Sequence, residues 1–292
     1  MTYSPNCEIK PGMSLPEGVR RFALVVEYDG SQYQGFQRQA SAKKTVQGEL
    51  ERALSLIAAQ PVTLVCAGRT DAGVHATHQV VHFDCSAPRA EKAWLDGTNT
   101  KLPDSIRVKW AAQVPGEFHA RFSALARTYR YFTYISKVRS AFLPVSATWS
   151  RDDLDVEAMQ EAARRLVGEH DFSSFRSSQC QAHSPVRRID YIRFVRQGDF
   201  IGMEIKANAF LHHMVRNIMG CLFEIGRAAR PAEWLDELLT ARDRRLAAPT
   251  AHPHGLYLVG VDYPAEFGIP AGSAHKGMFG FSEADFTNLK VD

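Results

Sequence analysis

Gly68-Arg69-Thr70-Asp71-Ala72-Gly73-Val74-His75 sets an arginine and an aspartate two positions apart among small residues. Small residues let backbone and carboxylate come close to a ligand, and loops held by strands are common seats of chemistry. The same spacing also suits an ordinary turn in which Asp71 bonds its own backbone. His75, His78 and His82 raise the question of a metal centre. A strand points His78 and His82 to one side, but Val80 lies between them and no carboxylate completes a set. His212-His213, in an apolar stretch, suits a packed pair better than a ligand pair. From Phe118 to Arg151 the chain carries Arg121, Arg127, Arg130, Lys137, Arg139 and Arg151 and no acidic residue. Phe118, Phe122, Tyr129, Tyr131, Phe132 and Tyr134 interleave with them. Cations with aromatics suit phosphate contact and base stacking; the plainer alternative is a solvated basic edge strand over a core. Tyr129 and Tyr131 share one strand face and Arg130 takes the other, so some of these aromatics are core. Arg216 lies among Leu211, Met214, Ile218, Leu222 and Ile225. A buried guanidinium there requires an acidic partner, or else it reaches out to water.

These residues need a scaffold, and hydrophobic periodicity supplies one. Phe22, Leu24, Val26 and Tyr28 alternate as a strand. Val46, Leu50, Ala53, Leu54 and Ile57 mark a helix over 46–59 with Thr45 as its N-cap. Strands follow near 62–67 and 79–84, then a short helix near 89–97 and a strand near 106–114. The order repeats: a strand at 128–136, a helix from Asp155 to Val167 ended by Gly168, and strands at 187–196 and 200–207 about the Gln197-Gly198-Asp199 turn. A long apolar helix covers 210–226, another begins after Pro231, and a last strand spans 255–263. The expected class is α+β: two ferredoxin-like βαββαβ halves with antiparallel sheets, joined near Leu125. Each half would cover one sheet face with helices and leave the other free, so that the two make a central cleft, a candidate for RNA binding given the basic aromatic stretch; the plainer alternative is a mixed α+β pair with no functional cleft. The expected divisions are an N-terminal arm (1–20), halves at 21–125 and 126–264, and a tail (265–292).

Composition narrows the class of protein. The 292 residues are 45% hydrophobic and 23% charged, close to the globular average, which excludes a largely disordered or collagen-like chain. Net charge is only +3, so any affinity for nucleic acid has to come from where the charges sit. The five cysteines are scattered without C-x-x-C, which argues against a disulfide framework or zinc ribbon and for reduced thiols in the cytosol. The N-terminus lacks the apolar core of a signal peptide, and no run approaches the ~18 apolar residues of a membrane span. G-x-G-x-x-G, G-x-x-x-x-G-K-[ST] and H-E-x-x-H are absent, so dinucleotide, P-loop and zinc-protease chemistry lose their usual support.

Taken together, EYDGSQYQGFQRQ, AGRTDAGVHA, FHARFSA followed by RTYRY, ANAFLHHMVRNIMG and GLYLVGVDYP resemble the tRNA pseudouridine synthase A family. The resemblance runs from about Arg21 to Tyr263; Phe36 stands where the family usually has Trp. It implies isomerisation of uridine to pseudouridine at positions 38, 39 and 40 of the tRNA anticodon stem-loop. It further implies no cofactor or metal, and a homodimer with tRNA lying across both subunits. By this resemblance Asp71 is the catalytic aspartate and Tyr129 packs on the target base. Arg216 is the basic partner of the aspartate, and Arg69 helps hold the target nucleotide out. Phe118, His119, Ala120, Arg121 and Phe122, with Gln179, Cys180, Gln181, Ala182 and His183, match tRNA-contacting segments. Leu256 belongs to the active-site wall, and Arg89 is counted with the tRNA contacts. The competing functions are a non-catalytic RNA-binding protein, which leaves the Arg69–Asp71 loop and Arg216 unexplained, and a metal hydrolase built on His75, His78 and His82.

Overall fold

The computed structural model describes residues 15–39, 44–272 and 279–287. Most of the expected N-terminal arm, residues 1–14, lies outside them. Among the described residues the backbone forms two compact units: those up to Leu125 with residues 258–272, and Ala126–Tyr257 with residues 279–287.

In the first unit β1 (Arg20–Tyr28) is followed by α1 (Val46–Ala58), β2 (Leu64–Cys66) and β3 (His75–Cys85). A helical segment with a π turn at Ala93–Gly97 then leads to β4 (Ile106–Val114). Thr45 caps α1 as expected, its hydroxyl accepting the Gly48 N–H at 3.2 Å. β1 lies antiparallel between β3 and β4, and β2 pairs with β3. The strand from the far end of the chain, β10 (Leu256–Asp262), also lies beside β3. Phe22 packs on Phe83 and Trp94 at 5.6 and 5.2 Å between ring centres, and Leu50 and Leu54 of α1 are fully buried.

The opposite face of this sheet, expected to be free, is covered over β1 and β3, while Trp110 and Ala112 of β4 stay half-exposed. Arg21, Ala23 and Val25 stand opposite Asp84, His82 and Val80 in register, and Ala23 and Val25 are as buried as their neighbours. Residues 116–120 lie over this face. Arg21 forms a two-pronged pair with Asp84 and donates to the carbonyls of Gly116 and Phe118. An arginine buried under a loop demands that many acceptors, so this part of the sheet's second face is closed by hydrogen bonding as well as by apolar contact.

The second unit runs β5 (Ala126–Ile135), β6 (Thr148–Ser150), α2 (Val156–Arg164), β7 (Gly168–Asp171), β8 (Val186–Gln197), β9 (Phe200–Ala207), α3 (Met214–Gly226) and α4 (Trp234–Ala241). Its sheet order is β5-β9-β8-β7, all antiparallel, with β6 added parallel to β5. Asp155 caps α2 through Ala158 N–H at 2.8 Å. α3 begins at Met214 and not at Phe210, because His213 takes a left-handed conformation (φ 64°) that interrupts helical backbone. Tyr131 faces Phe223 of α3, while Arg130 and Phe132 take the other face. That face is covered as well. The stretch expected to trail as a tail carries a short helix, α5 (Glu283–Thr287), and buries Phe281 and Phe286 completely. Gly202 makes this seat: a Cβ there would stand 2.9 Å from the Phe286 ring. The result is a mixed α+β protein with mostly antiparallel pairing. Among the described residues no helix is long and apolar enough to cross a membrane.

Candidate functional site

Asp71 sits in the connection between β2 and β3, half-buried, with Arg69 exposed beside it. The Asp71 carbonyl accepts Val74 N–H at 3.1 Å, and Gly73 holds φ +80°, the geometry for which a β-turn favours glycine. So the turn is real, and it presents the aspartate. The rest of the loop is clamped. Gln79, fully buried on β3, receives the Gly68 N–H at 3.3 Å and returns its own amide to the Gly68 carbonyl at 2.6 Å. The Tyr28 and Thr70 hydroxyls meet at 2.8 Å, and Phe36 N–H donates to the Thr70 carbonyl at 3.0 Å. Backbone passes so close that a Cβ on Gly30 would fall 1.9 Å from the Val74 oxygen. A side chain mounted this way is fixed before any ligand arrives. Residue-type reasoning missed Gln79, Tyr28 and Gly30; the strand alternation around Gln79 offered no sign that its amide turns inward.

Two guanidinium groups act on the surroundings of Cys66. Burial pushes the Cys66 thiol up to about 12 even though the guanidinium groups of Arg69 and Arg121 both act to lower it. Two arginines from segments more than fifty residues apart therefore project onto one region. Within 118–122 the structure separates the members sharply. Phe118, His119 and Ala120 are fully buried, whereas Arg121 and Phe122 are exposed, the guanidinium lying 5.3 Å from the ring centre. An exposed phenyl with a cation beside it is a stacking platform. Arg89 is not brought to this place. It follows the far end of β3, about 35 Å of strand from the Asp71 loop, and its guanidinium bonds the Ile57 carbonyl at 2.9 Å.

The three histidines of β3 have separate surroundings. His75 faces Asp29 at 3.1 Å, His78 is bonded by the Pro270 backbone, and His82 accepts Ala120 N–H at 3.1 Å. Burial holds the His82 pKa well below its usual value, with the Arg21 charge adding to the shift, and burial lowers His78 against the opposing pull of Asp262. An imidazole whose folded pKa lies below its unfolded 6.5 binds fewer protons folded than unfolded. Its contribution to stability is therefore complete above pH 6.5 and is lost as pH falls below it. We expect the melting temperature to drop between pH 7 and pH 5, with uptake of about one to two protons on unfolding. A flat melting temperature over that range would contradict the burial of neutral imidazole.

In the second unit, Tyr129 is buried on β5 with its ring edge-on to Phe210 at 5.1 Å. Arg216 is half-buried on α3. Its Nε donates to the Ala251 carbonyl at 2.8 Å, and its own carbonyl accepts Ala251 N–H at 3.1 Å. The Arg216 charge also reaches Tyr131, whose hydroxyl meets Thr148 and the His252 carbonyl at 2.7 Å each. Leu256 is buried at the start of β10. The 179–183 segment is a loop: Gln179, Gln181 and His183 are exposed, Cys180 and Ala182 half-buried, and Ser177 N–H anchors it to the His212 carbonyl at 2.9 Å. Asn217, next to Arg216 in the chain and absent from the expected site, is fully buried and donates to the Phe175 carbonyl at 2.7 Å.

Residues 24–123 and 162–264 match the family model described as tRNA pseudouridine synthase. Proteins named tRNA pseudouridine synthase A are similar over most of their length. The one from Pseudomonas aeruginosa is 55% identical over 257 residues, covering 88% of this chain and 90% of the relative. The one from Mannheimia succiniciproducens is 55% identical over 250 residues (86% and 95%), and the one from Paraburkholderia phytofirmans 56% over 253 residues (87% and 93%).

Proposed function

The chain belongs to the tRNA pseudouridine synthase family, and on that footing we propose that it isomerises uridine to pseudouridine at positions 38, 39 and 40 of the tRNA anticodon stem-loop, with Asp71 as the catalytic residue. The observation that supports the assignment best is the clamped loop: a carboxylate held half-exposed on a braced turn, with Arg69 next to it. A carboxylate is a poor choice on a surface that meets only phosphates. Its presence there favours chemistry over simple RNA binding.

The reaction cleaves N1–C1′, turns the base and joins C5 to C1′. The proton on C5 leaves, N1 gains one, and no electrons are exchanged, so the balance needs no external cofactor. The Asp71 carboxylate acts either as nucleophile at C1′ or as the base that removes the C2′ proton. Tyr129 supplies the flat surface for the base and Arg216 the cationic partner of the carboxylate. Extruding the uridine costs roughly a few kcal/mol; Arg69 opposes its return. Arg121 and Phe122, with Arg89, the 179–183 loop and Leu256, complete the tRNA-binding and wall residues of this reading. The same reading takes the two units as ferredoxin-like halves and the working form as a cytoplasmic homodimer with tRNA lying across both copies. Tritium placed at C5 of uridine in unmodified tRNA transcripts tests the reaction directly. Its release to water, at sites mapped to the anticodon stem-loop, is the expected result, and bound tRNA without release would return the chain to a binding role.

Arg121→Ala is expected to weaken tRNA binding and to flatten the dependence of log Kd on log salt by about one charge, because each phosphate contact releases condensed counterions. Titrations at several salt concentrations measure this; an unchanged slope would place Arg121 away from the phosphates.

A further inference from the structure

His82 and His119 are the two buried imidazoles nearest the Arg121–Phe122 platform, and neither reaches the surface. Their rings lie 4.8 Å apart. What they bond is informative. His82 Nδ1 accepts the N–H of Ala120 at 3.1 Å, and His119 Nδ1 accepts the N–H groups of Arg121 and Phe122 at 3.2 Å each. Three consecutive backbone donors, the ones that set the direction of the exposed Arg121 and Phe122 side chains, thus converge on two ring nitrogens. A backbone N–H can only donate, so each Nδ1 carries a lone pair and each ring is neutral with its proton on Nε2. The surroundings reinforce this geometry. Ser123 Oγ accepts His119 N–H and Ser123 N–H returns to the His119 carbonyl, while Tyr263 donates its hydroxyl to the Ala120 carbonyl. Arg21, held by Asp84, takes the Phe118 carbonyl, and the Phe122 ring rests 4.4 Å from that of His119.

We propose that His82 and His119 are positioning residues for tRNA binding: paired hydrogen-bond acceptors that fix the backbone of 120–122 so that Arg121 and Phe122 point outward as one unit. This rests on the reading that Arg121 and Phe122 meet the tRNA. It also changes the part assigned to His119, which shapes the contact from beneath without touching RNA. An acceptor role is separable from a packing role. Phenylalanine fills the imidazole's place without an acceptor, whereas asparagine is smaller but carries a carbonyl oxygen in the position of Nδ1.

The test compares His119→Phe, His119→Asn and Arg121→Ala for tRNA affinity and for steady-state turnover. His119→Phe is expected to raise Kd about tenfold, the loss of roughly one to two net hydrogen bonds, with the effect falling on KM more than on kcat. His119→Asn is expected to stay within about threefold of wild type. If Asn is as damaging as Phe, the ring acts by packing and the proposal is wrong. If Arg121→Ala leaves Kd unmoved, the underlying reading of the platform fails instead; if Arg121→Ala weakens binding and His119→Phe does not, only the positioning role fails. The wild-type protein gives a check that needs no variant. Nitrogen-15 NMR of the histidine rings is expected to find the proton of His82 and His119 on Nε2, and a proton on Nδ1 of either ring would overturn the assignment.

Discussion

Asp71→Ala is expected to bind tRNA with near wild-type affinity and to release no measurable C5 tritium. The carboxylate is one group on a loop whose shape comes from elsewhere: Gln79 on the Gly68 peptide, Phe36 N–H on the Thr70 carbonyl and the Val74 N–H on the Asp71 carbonyl. Of these, only the last involves Asp71, and it uses backbone that alanine retains. Removing the side chain therefore subtracts chemistry without collapsing its mount. A positioned base alone contributes about 10²–10⁴-fold, and a lost nucleophile leaves no route to the covalent intermediate, so turnover should fall by about 10³-fold or more. Single-turnover tritium release with tRNA binding measured in parallel decides the matter. Turnover within about tenfold of wild type would remove Asp71 from the catalytic role, and a parallel loss of binding would mean that the loop itself had changed.

The second large effect concerns stability. Arg130 and Glu204 stand directly opposite each other across β5 and β9, joined at 2.6 Å, with only 5% and 7% of their side chains exposed. Tyr191 donates to the second oxygen of Glu204 at 2.9 Å, and the Phe286 ring lies 4.3 Å over the Arg130 guanidinium. Glu204→Ala leaves a buried cation without its anion and a half-buried hydroxyl without its acceptor, and is expected to cost about 3–5 kcal/mol. Replacing both charges, Arg130→Met with Glu204→Leu, is expected to recover most of that loss, since an apolar pair of similar volume carries no desolvation penalty. Urea unfolding with a common slope measures all three proteins. A double variant no more stable than Glu204→Ala would mean that packing around Phe286, and not the unpaired charge, sets the cost.

How much of this was legible in the residues varies by element. α1 was readable because its cap and its 3.6-residue period agree, and the cap hydrogen bond forms as the threonine implies. β6 and β7, of three and four residues, are too short for any period to register. Gly168 was read only as a helix stop, yet at φ +105° it also opens β7. The start of α3 was invisible because Phe210–His213 continue the apolar pattern while the backbone breaks at His213. For the site, residue types singled out Asp71, Arg69 and Arg121, with a plain turn and a solvated basic strand as alternatives, and their roles come from the family resemblance. The β3 histidines showed a spacing but not their partners, which come from Asp29, Ala120 and Pro270, far away in sequence. The burial of Phe281 and Phe286 depends on the space left by Gly202 some eighty residues earlier, a relation no local pattern expresses.

The place of β10 has a consequence for how the protein is made. The first unit's sheet takes in residues from Leu258 onward, beside β3, after about 130 residues that belong to the second unit. During synthesis at about 5–20 residues per second, roughly 7 to 26 seconds pass between the emergence of Leu125 and that of Leu258. Throughout that interval β3 lacks a neighbour along the part of one edge that β2 does not cover, and unpaired strand edges attract other chains. The amino-terminal unit is thus begun first, yet it closes only after the whole stretch from Ala126 to Tyr257 has been made. Its completion waits on the ribosome, and a transcript cut short anywhere before the codon for Leu258 leaves it open.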